Sequence, residues 1–568
     1  MRSAIRTLPE SFAAVVLFVL VAACPQARGQ AQPDRARHGM VVSANAIASE
    51  VGRDVLAEGG TAVDAAVATA FTLAVVHPAA GNLGGGGFMI HRAPDGAAAA
   101  YDFREMAPAS AHPEMWLDED GRYDARRHHN SHKAVGVPGT VAGLHLAWRE
   151  AGSLPWARLI EPAIELAEEG FELSPSLAGS IRRGLRKMEP YPASMEKFTD
   201  GGTPYEAGDV WRQPDLARSL RAIAEEGPDA FYEGRIARLI AREMRRNDGL
   251  ITEDDLGSYE PVRREPITGT YRGHGIIGMP PPSSGGVAVV EMLNILEGYD
   301  LAANGFGSAA NAHLMIEAMR RAYADRAQHM GDADFNPDLP LETLTSKPYA
   351  EILRLTIDPE RASVSRAEDF AFAAESEQTT HISVVDADRG AVSMTYTLEQ
   401  GYGSGIVARG TGFLLNNELG DFNAAPGLTT RSGLIGSEPN LAAPGKRPLS
   451  SMSPTIVTKD GALFMVTGTP GGRTIINTVL QTIINVIDHG MNAQEANDAG
   501  RLHHQWLPDV VSYEPGAIPP DAARKLRAMG HTLRERGSIG AAQIIVVDGG
   551  WLEAGADDRR ADGGAAGY

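Results

Sequence analysis

The spacing of apolar positions changes near the middle of the chain, from a helical period to an alternating one. Helical periodicity runs over residues 61–77, 156–169, 219–246 and 309–329. The first half of the chain is therefore predicted to be mostly helical. The first of these segments is Ala-rich and begins with a Thr-x-x-Asp pattern, which predicts a capped and largely buried helix. From Thr380 onward β-branched residues alternate, interrupted by one long predicted helix at about 474–489.

Two segments lack a period and are rich in glycine. Four consecutive glycines, Gly84 to Gly87, follow the first helix and precede a short predicted strand. A dinucleotide-binding loop needs the opposite order, so we predict a tight turn that allows close backbone approach. Residues 423–447 are rich in Gly, Pro, Asn and Ser. They are predicted to form a long loop, which in a compact domain is more often a functional lid than a filler.

Composition and charge bound the class of protein. The 568-residue chain has 43% hydrophobic and 22% charged residues, as expected for a soluble globular protein with a sizeable core. Its length fits one or two intimately packed domains. Its formal net charge of −20 argues against non-specific binding to a phosphate backbone, so nucleic acid is not an expected partner.

The first thirty residues have the order of an export signal. Two arginines precede an apolar run from Phe12 to Ala23, which is shorter than the roughly 20 residues of an ordinary membrane span. We therefore expect residues 1–29 to be removed and the protein to be periplasmic or secreted. Cys24, the only cysteine, follows Val-Ala-Ala, where a lipoprotein would be cut and acylated. The alternatives are a lipid anchor at Cys24 or its loss with the signal peptide, and neither leaves a disulfide.

Two histidine-rich stretches, residues 126–132 and 503–504, invite interpretation as metal ligands. Neither has carboxylates at ligand spacing, and the sequence contains no H-E-x-x-H motif. We therefore predict surface or hydrogen-bonded histidines, and we expect no metal and no other cofactor.

A predicted β-hairpin brings two threonines together. Residues 380–385 and 391–397 flank the connection Asp-Ala-Asp-Arg-Gly, a pattern that indicates a hairpin. Symmetric pairing about this turn places Thr379 opposite Thr397, with Cβ atoms about 5 Å apart. Such a pair is by itself ordinary strand composition, so its interpretation depends on the residues downstream.

Three groups of residues downstream can supply parts of an acyl-transfer site. A predicted strand ends in Pro-Gly-Gly at 470–472 and leads into a helix, so backbone N–H groups can point at a developing oxyanion. Ser450 and Ser451 offer hydroxyls to a carboxylate, and Glu418 and Asp421 can hold an ammonium. Each group alone also fits a simple turn or a surface position.

Together these segments resemble the γ-glutamyltranspeptidase family, also called glutathione hydrolases, whose members are N-terminal-nucleophile hydrolases. The resemblance extends from AIASEVGRDVLAEGGTAVDAAVA to the terminal AGY. It rests on the motifs DFREMAP, GNLGGGGF, PGTVAG, QTTHISVVD, NNELGDF, KRPLSSMSPTIV and HHQWLPD. It implies an α+β fold, a four-layer αββα sandwich of two stacked β-sheets flanked by helices.

The resemblance also implies a maturation step. The proenzyme would cleave itself between Gln378 and Thr379 into a large subunit, residues 30–378, and a small subunit, residues 379–568, which remain together as a heterodimer. Thr379 would then gain a free α-amino group that can act as the general base for its own hydroxyl. A threonine in mid-chain has no such base, so the uncut chain is expected to be a zymogen.

The remaining roles are implied residue by residue. One threonine would steady the nucleophile by a hydrogen bond, and two glycines would form the oxyanion hole. An arginine and two serines would bind the α-carboxylate of the γ-glutamyl group, a task that suits the paired N–H donors of a guanidinium. Three carboxylates would bind its α-ammonium. In this order the residues are Thr397; Gly471 and Gly472; Arg104, Ser450 and Ser451; and Glu399, Glu418 and Asp421.

These roles imply an exported enzyme that transfers the γ-glutamyl group of glutathione and related amides, through an ester on Thr379, to water or to amino acid and peptide acceptors. One alternative is a related acylase for a β-lactam side chain or a poly-γ-glutamate chain. The retained amino-acid-like donor site argues against the former, and the lid-like loop argues against a long polymer. Another alternative is an exported binding protein whose threonine is inert.

Two features depart from the family pattern. Many relatives carry Asn at the position of Glu399 and some carry Gln at that of Glu418, so this chain has additional negative charge around the expected ammonium. That charge fits the ligand and can alter acceptor preference. Some relatives carry an aromatic gate in the loop after NNxxxDF, whereas residues 423–447 contain no Tyr, Trp or Phe. The mode of substrate gating therefore stays open.

Overall fold

The computed structural model describes residues 31–366, 379–428 and 436–568, and residues 33–568 belong to one compact unit. The predicted signal segment, Cys24 and Gln378 lie outside the described residues, as do residues 429–435 of the predicted long loop. The described parts of that loop contain one short 3-10 turn, Glu438–Asn440. Within the described ranges, no helix combines the length and the apolar character needed to cross a bilayer.

Two seven-stranded antiparallel sheets form the centre of the fold. The strands of the chain are β1 Asp34–Ala36, β2 Met40–Ser43, β3 Gly86–Arg92, β4 Ala98–Phe103, β5 Phe171–Glu172, β6 Thr199–Asp200, β7 Thr203–Pro204, β8 Val210–Trp211, β9 Val262–Arg264, β10 Ile267–Tyr271, β11 His274–Gly278, β12 Thr380–Val385, β13 Ala391–Thr397, β14 Thr455–Lys459, β15 Ala462–Gly468, β16 Leu502–His503, β17 Val511–Tyr513, β18 Leu533–Glu535, β19 Gln543–Asp548, β20 Trp551–Ala556 and β21 Gly564–Gly567. One sheet has the order β1-β20-β19-β15-β14-β11-β10, and the other β21-β2-β12-β13-β3-β4-β9. Strands β12 and β13 pack on β15 of the facing sheet.

Both sheets combine strands from the two sides of position 379. In the second sheet β2, which precedes this position in the chain, pairs with β21 on one side and β12 on the other. In the first sheet the edge strands β1, β10 and the neighbouring β11 precede position 379, and the four strands between them follow it. The two predicted subunits therefore share both central sheets of the fold.

Helices cover the outer faces of both sheets, which completes the predicted αββα sandwich. The helices are Ala46–Ala57, Ala62–Val76, Ala125–His129, Thr140–Ala151, Trp156–Glu169, Pro175–Met188, Pro192–Phe198, Pro214–Glu226, Asp229–Tyr232, Arg235–Arg246, Glu253–Gly257, Gly285–Leu296, Leu301–Asn304, Ala309–His329, Leu341–Leu344, Lys347–Leu355, Thr474–Ile487, Ala493–Asp498 and Pro520–Met529. Helix Ala62–Val76 packs on β12 and β13, and helix Thr474–Ile487 packs on β15 of the other sheet. These two helices enclose the part of the sandwich that carries Thr379.

Helix Ala62–Val76 is the capped, buried helix that its sequence predicts. Thr61 and Asp64 form a capping box, and all 15 residues of the helix are buried. The hydroxyls of Thr69 and Thr72 donate to the backbone carbonyls four residues earlier. Because its few polar groups are satisfied internally, this helix can pack inside the body.

The other predicted helices differ in how well their bounds were anticipated. Helices 156–169 and 309–329 have the predicted bounds, and the one predicted at 474–489 ends at Ile487. The periodic stretch 219–246 is not one helix, because the helix that begins at Pro214 ends at Glu226. Gly227 then takes a left-handed φ of 70°, and Pro228, which has no N–H, cannot continue the helical hydrogen bonds.

The hairpin β12–β13 has the predicted register. Val385 pairs with Ala391, and one step beyond the start of β12 puts Thr379 opposite Thr397. The carboxylate of Asp386 accepts backbone N–H groups from within the turn and from the start of the buried helix. This turn residue fixes both the register and the position of the hairpin against the helix.

The glycine run allows the close backbone approach that was predicted. A Cβ atom on Gly85 would lie 2.0 Å from the carbonyl oxygen of Thr397, and one on Gly87 would lie 2.5 Å from that of Thr395. Side chains at these positions would push β3 away from β13. The Asn82 amide donates to the Thr397 carbonyl at 2.9 Å, so the same turn also holds the end of β13.

Candidate active site

The structure brings almost all of the predicted site residues to one small cavity. Those that line it are Arg104, Thr379, Thr397, Glu399, Glu418, Asp421, Ser450, Ser451 and Gly472. Gly471 lines a larger adjacent cleft. Because these residues come from the end of β4, the hairpin and several loops, only the tertiary fold assembles them.

Thr379 lies at the wall of this cavity with its hydroxyl turned toward Thr397. The two Oγ1 atoms are 3.4 Å apart, with Thr379 donating, and Thr379 is 4% exposed. The Thr397 hydroxyl also accepts the backbone N–H of Glu399 at 2.9 Å. In the intact chain the Thr379 nitrogen belongs to a peptide bond, so it cannot accept a proton until the chain is cut.

Two glycines place backbone donors beside Thr379. Gly471 and Gly472 have φ values of 136° and 55°, a conformation that favours glycine. The Gly471 carbonyl accepts the N–H and the hydroxyl of Thr474, where the helix begins. Among the described residues neither glycine N–H donates to an acceptor. Two N–H groups at a helix N-terminus can stabilise an oxyanion.

Arg104 joins the two predicted parts of the ligand site. Its side chain forms ion pairs with Glu418 and Asp421 and donates to the carbonyls of Pro448 at 3.1 Å and Leu449 at 3.2 Å. Burial alone would lower the pKa of Arg104, but the adjacent carboxylates outweigh it and the pKa is raised. Arg104, predicted to bind the carboxylate, thus pairs directly with two of the three carboxylates predicted to bind the ammonium.

Hydrogen bonds from Ser284 and Arg326, which sequence analysis did not single out, position Ser450 and Ser451. The Ser450 carbonyl accepts the N–H of Ser284 at 2.8 Å and its hydroxyl at 2.7 Å. Arg326 donates to the hydroxyls of Ser284 at 2.8 Å and Ser451 at 2.9 Å. The Pro-Pro-Ser-Ser-Gly-Gly turn at 281–286 is the sequence signal for this support.

Three carboxylate oxygens face this region without protein donors. Both oxygens of Glu399 and one of Glu418 are buried and accept no hydrogen bond from the described residues. The Glu399 backbone has a left-handed φ of 75°, a conformation that typically costs about 1–3 kcal/mol in a non-glycine residue. The hydrogen bond that the Glu399 N–H donates to the Thr397 hydroxyl stabilises this conformation. Such carboxylates can accept the N–H groups of an ammonium ligand.

Glu105 is another buried carboxyl group beside Arg104, and sequence reasoning missed it although it is the next residue of the motif. It lies 3.8 Å from the Arg104 guanidinium. Burial is the main cause that raises the pKa of Glu105 to about 8, against the charge of Arg104. Burial therefore favours the protonated form of this group in the folded protein.

We expect Glu105→Gln to change how stability depends on pH. Between about pH 4.5 and 8 the folded state binds the Glu105 proton and the unfolded state does not, so the free energy of unfolding falls as pH rises. Glutamine removes this proton equilibrium and should flatten the slope by up to about 1.4 kcal/mol per pH unit. Urea unfolding at several pH values measures it. Glu119→Gln at an exposed position is the matched control, and equal slopes for wild type and Glu105→Gln would contradict the assignment.

His381, two residues after the predicted nucleophile, is a fixed and neutral group. Its ring nitrogens lie 2.7 Å from the Thr395 hydroxyl and 3.1 Å from that of Ser383. Burial lowers the pKa of His381 to about 3. A Cβ on Gly468 would overlap the ring, so glycine is needed there. This histidine therefore braces the strand and is not a free base.

The predicted histidine stretches are held by hydrogen bonds. His128 lies 3.0 Å from the Tyr123 hydroxyl and 3.2 Å from the Leu419 carbonyl, and His504 lies 3.1 Å from Asp509. A different buried group, His313, Glu317 and His531, has ligand-like spacing. Its glutamate is already ion-paired with Arg320 and Arg321, and its two histidines contact each other at 2.8 Å. Hydrogen bonds and ion pairs account for this cluster.

The adjacent cleft, of about 1020 Å³, opens beside Gly471 and is largely basic. Arg183, Arg186 and Lys187 of helix Pro175–Met188 line it, together with Arg560. Burial lowers the pKa of Lys187 to about 8 although Glu399 opposes the shift. The cleft is suited to an anionic ligand.

A threonine at the start of an inner strand of an αββα sandwich, with paired N–H donors beside it, defines an N-terminal-nucleophile hydrolase. The model of the gamma-glutamyltranspeptidase family matches residues 48–568, and the chain belongs to this family. It is 48% identical over 540 residues to the glutathione hydrolase proenzyme of Escherichia coli strain K12, covering 94% of this chain and 93% of the relative.

Solved structures support the same fold. A cephalosporin acylase from Bacillus halodurans superimposes with a TM-score of 0.83 at 28% identity, covering 96% of this chain and 99% of its own. The γ-glutamyltranspeptidase of Helicobacter pylori matches with a TM-score of 0.55 at 44% identity, covering 56% of this chain and 91% of its own. Proteins with this fold thus differ in the acyl group that their names give, and the residues of the cavity determine which acyl group this chain can bind.

Proposed function

We propose that the chain is a self-cleaving γ-glutamyl hydrolase and transferase that acts on glutathione and related γ-glutamyl amides. The observation that carries this proposal is the cavity itself, where the paired threonines lie beside the buried Arg104, the buried carboxylates of Glu399 and Glu418 and the partly buried Asp421. An amino-acid head group presents both a carboxylate and an ammonium, and both charges find partners in this set. The 48% identity to a glutathione hydrolase proenzyme adds support.

Cleavage of the Gln378–Thr379 bond would create the catalytic base. The free amine of Thr379 takes the proton from its own hydroxyl, and Oγ1 attacks the γ-carbonyl carbon of the donor. The N–H groups of Gly471 and Gly472 stabilise the oxyanion. The leaving amine departs with a proton from the Thr379 ammonium, and a γ-glutamyl ester remains on Thr379.

The second half of the reaction returns the enzyme to its starting state. Water or the amine of an acceptor attacks the ester, the Thr379 amine accepts a proton from the attacking group, and the threonine oxygen recovers a proton as it leaves. The basic cleft beside Gly471 is where a leaving or accepting peptide would lie. Its cationic side chains suit the carboxylate of such a peptide.

A related acylase is the second candidate, favoured by the TM-score of 0.83 to a cephalosporin acylase. An acyl group without an α-ammonium would leave the buried Glu399 oxygens without a hydrogen-bond donor, which is costly. We therefore expect γ-glutamyl-p-nitroanilide to be hydrolysed much faster than glutaryl-p-nitroanilide, which differs only in the missing amine. A preference for the glutaryl compound would favour the acylase.

Incubation with glutathione, with and without a dipeptide acceptor, tests the main proposal. Glutamate and cysteinylglycine should form in both cases, and a γ-glutamyl dipeptide only when the acceptor is present. An uncut chain that binds glutathione without turnover would favour an inert binding protein.

Export is part of the proposal and rests on the sequence of residues 1–29. The intact mass of the large subunit from the native compartment would define its N-terminus. A start near residue 30 favours ordinary signal cleavage, and an acylated start at Cys24 favours a lipid anchor.

A further inference from the structure

His129, from the histidine-rich stretch that the proposed reaction does not use, lies against the donor site. Its Nδ1 is 3.4 Å from a carboxylate oxygen of Glu399, an ion-pair distance without hydrogen-bond alignment. The His129 side chain is 18% exposed and that of Glu399 only 2%. A Cβ on Gly420 would come within 2.4 Å of the ring, so the glycine makes room for it. The imidazole therefore covers one side of the Glu399 carboxylate.

The ring of His129 is held in this place by its neighbours. The His128 ring contacts both the His129 ring and Trp116, with its centroid 4.4 Å from each. The Asn417 amide donates to the His129 carbonyl at 3.0 Å. Because backbone and ring are both supported, the contact with Glu399 is part of the built site.

Several charges act on His129 from the elements around it. Burial lowers the pKa of His129, but the carboxylate of Glu399 and that of Asp421 outweigh this effect and the pKa is raised. Lys187 acts in the opposite direction, and its ammonium donates to the Gln400 side chain at 2.9 Å. His128 adds no opposing cation, because burial holds its own pKa well below the usual value.

We propose that His129 determines the donor specificity of this site: its imidazolium neutralises Glu399 and competes with the α-ammonium of the donor, and its neutral form leaves Glu399 free for that ammonium. This inference rests on the proposed function and deepens it. His129 acts through Glu399 and is therefore a positioning residue.

The proposal predicts the direction in which donor affinity changes with pH. Proton binding to His129 and binding of an ammonium at Glu399 oppose each other, so raising the pH through the His129 titration should tighten donor binding. We expect the affinity to change by about three- to tenfold across this titration. A ligand without the ammonium should show no such gain.

The test compares two inhibitors of γ-glutamyl-p-nitroanilide turnover, L-glutamate and glutarate, which differ by the α-amino group. Their inhibition constants are measured at pH 6 and pH 8.5 for the wild type, His129→Gln and His132→Gln. His132 belongs to the same stretch but pairs with Glu243, 3.3 Å away, and serves as the control. The preference for glutamate should rise about three- to tenfold with pH in the wild type and the control. In His129→Gln it should already be high at pH 6.

A double mutant separates a specific effect from a change in folding. If His129 acts through Glu399, His129→Gln should have no further effect on the inhibitor ratio in a Glu399→Gln background. An unchanged pH dependence of the inhibitor ratio in His129→Gln, or an equal effect of this substitution on both inhibitors, would overturn the proposed role of His129. In either case, normal turnover of γ-glutamyl-p-nitroanilide would leave the proposed function intact. A wild-type enzyme without γ-glutamyl turnover at any pH would overturn the proposed function as well.

Discussion

Thr379→Ala should leave the precursor as one polypeptide and abolish γ-glutamyl turnover. The variant removes the hydroxyl that attacks both the Gln378–Thr379 bond and the donor carbonyl. Loss of a catalytic nucleophile costs about 10⁴-fold or more in kcat, so activity should fall to the background of the assay. Denaturing electrophoresis with intact mass follows the cut, and release of p-nitroaniline follows turnover.

Thr379→Ser is the matched control, because serine keeps a hydroxyl and loses only a methyl group. It should still be cut and retain measurable activity. N-terminal sequencing of the wild-type small subunit should begin at Thr379. A different first residue, or a cleaved and active Thr379→Ala protein, would show that another group is the nucleophile.

Arg104→Lys should impair donor turnover far more than self-cleavage. Lysine keeps the charge but cannot reproduce the contacts that the guanidinium makes with Glu418, Asp421 and two backbone carbonyls. The loss of about 1.5–3 kcal/mol corresponds to about ten- to a hundredfold in kcat/KM. Self-cleavage acts on the bond at Thr379 and needs no free α-carboxylate.

The measurement compares the rate of subunit formation with kcat/KM for γ-glutamyl-p-nitroanilide in the same preparation. Arg447→Lys is a useful comparison, because Arg447 is buried beside Asp102 behind the cavity and does not line it. If Arg104→Lys blocked maturation but any mature enzyme had normal kcat/KM, Arg104 would be a folding residue and the assigned carboxylate site would be wrong.

Local sequence patterns predicted the parts of the fold that depend on neighbouring residues. The capping pattern at Thr61 predicted the buried helix, and the turn after Val385 predicted the register that brings Thr379 to Thr397. The break at Gly227 was missed because apolar spacing continues across it. A hydrophobic period records which face is buried and is insensitive to one turn of altered backbone.

The electrostatics of the site could not be predicted in the same way. Family resemblance named Arg104 and Glu418 as residues for opposite charges of the ligand, but their direct contact joins positions 314 residues apart in the chain. His129 and Arg326 act through contacts of the same long-range kind, with Glu399 and Ser451. Burial raises the pKa of Glu105, and burial is a property of the assembled sandwich.

Strands of the two predicted subunits are interleaved in both sheets. Cutting the chain at Thr379 therefore changes unfolding from a reaction that yields one chain to one that yields two. The precursor unfolds to one chain, so its Tm should not depend on protein concentration. The mature protein unfolds to two chains that must meet again, and by mass action its Tm should rise with concentration. Because β2 lies between β21 and β12, the subunits can separate only when both sheets come apart. Cutting the chain thus makes the separation of the two subunits a complete unfolding reaction.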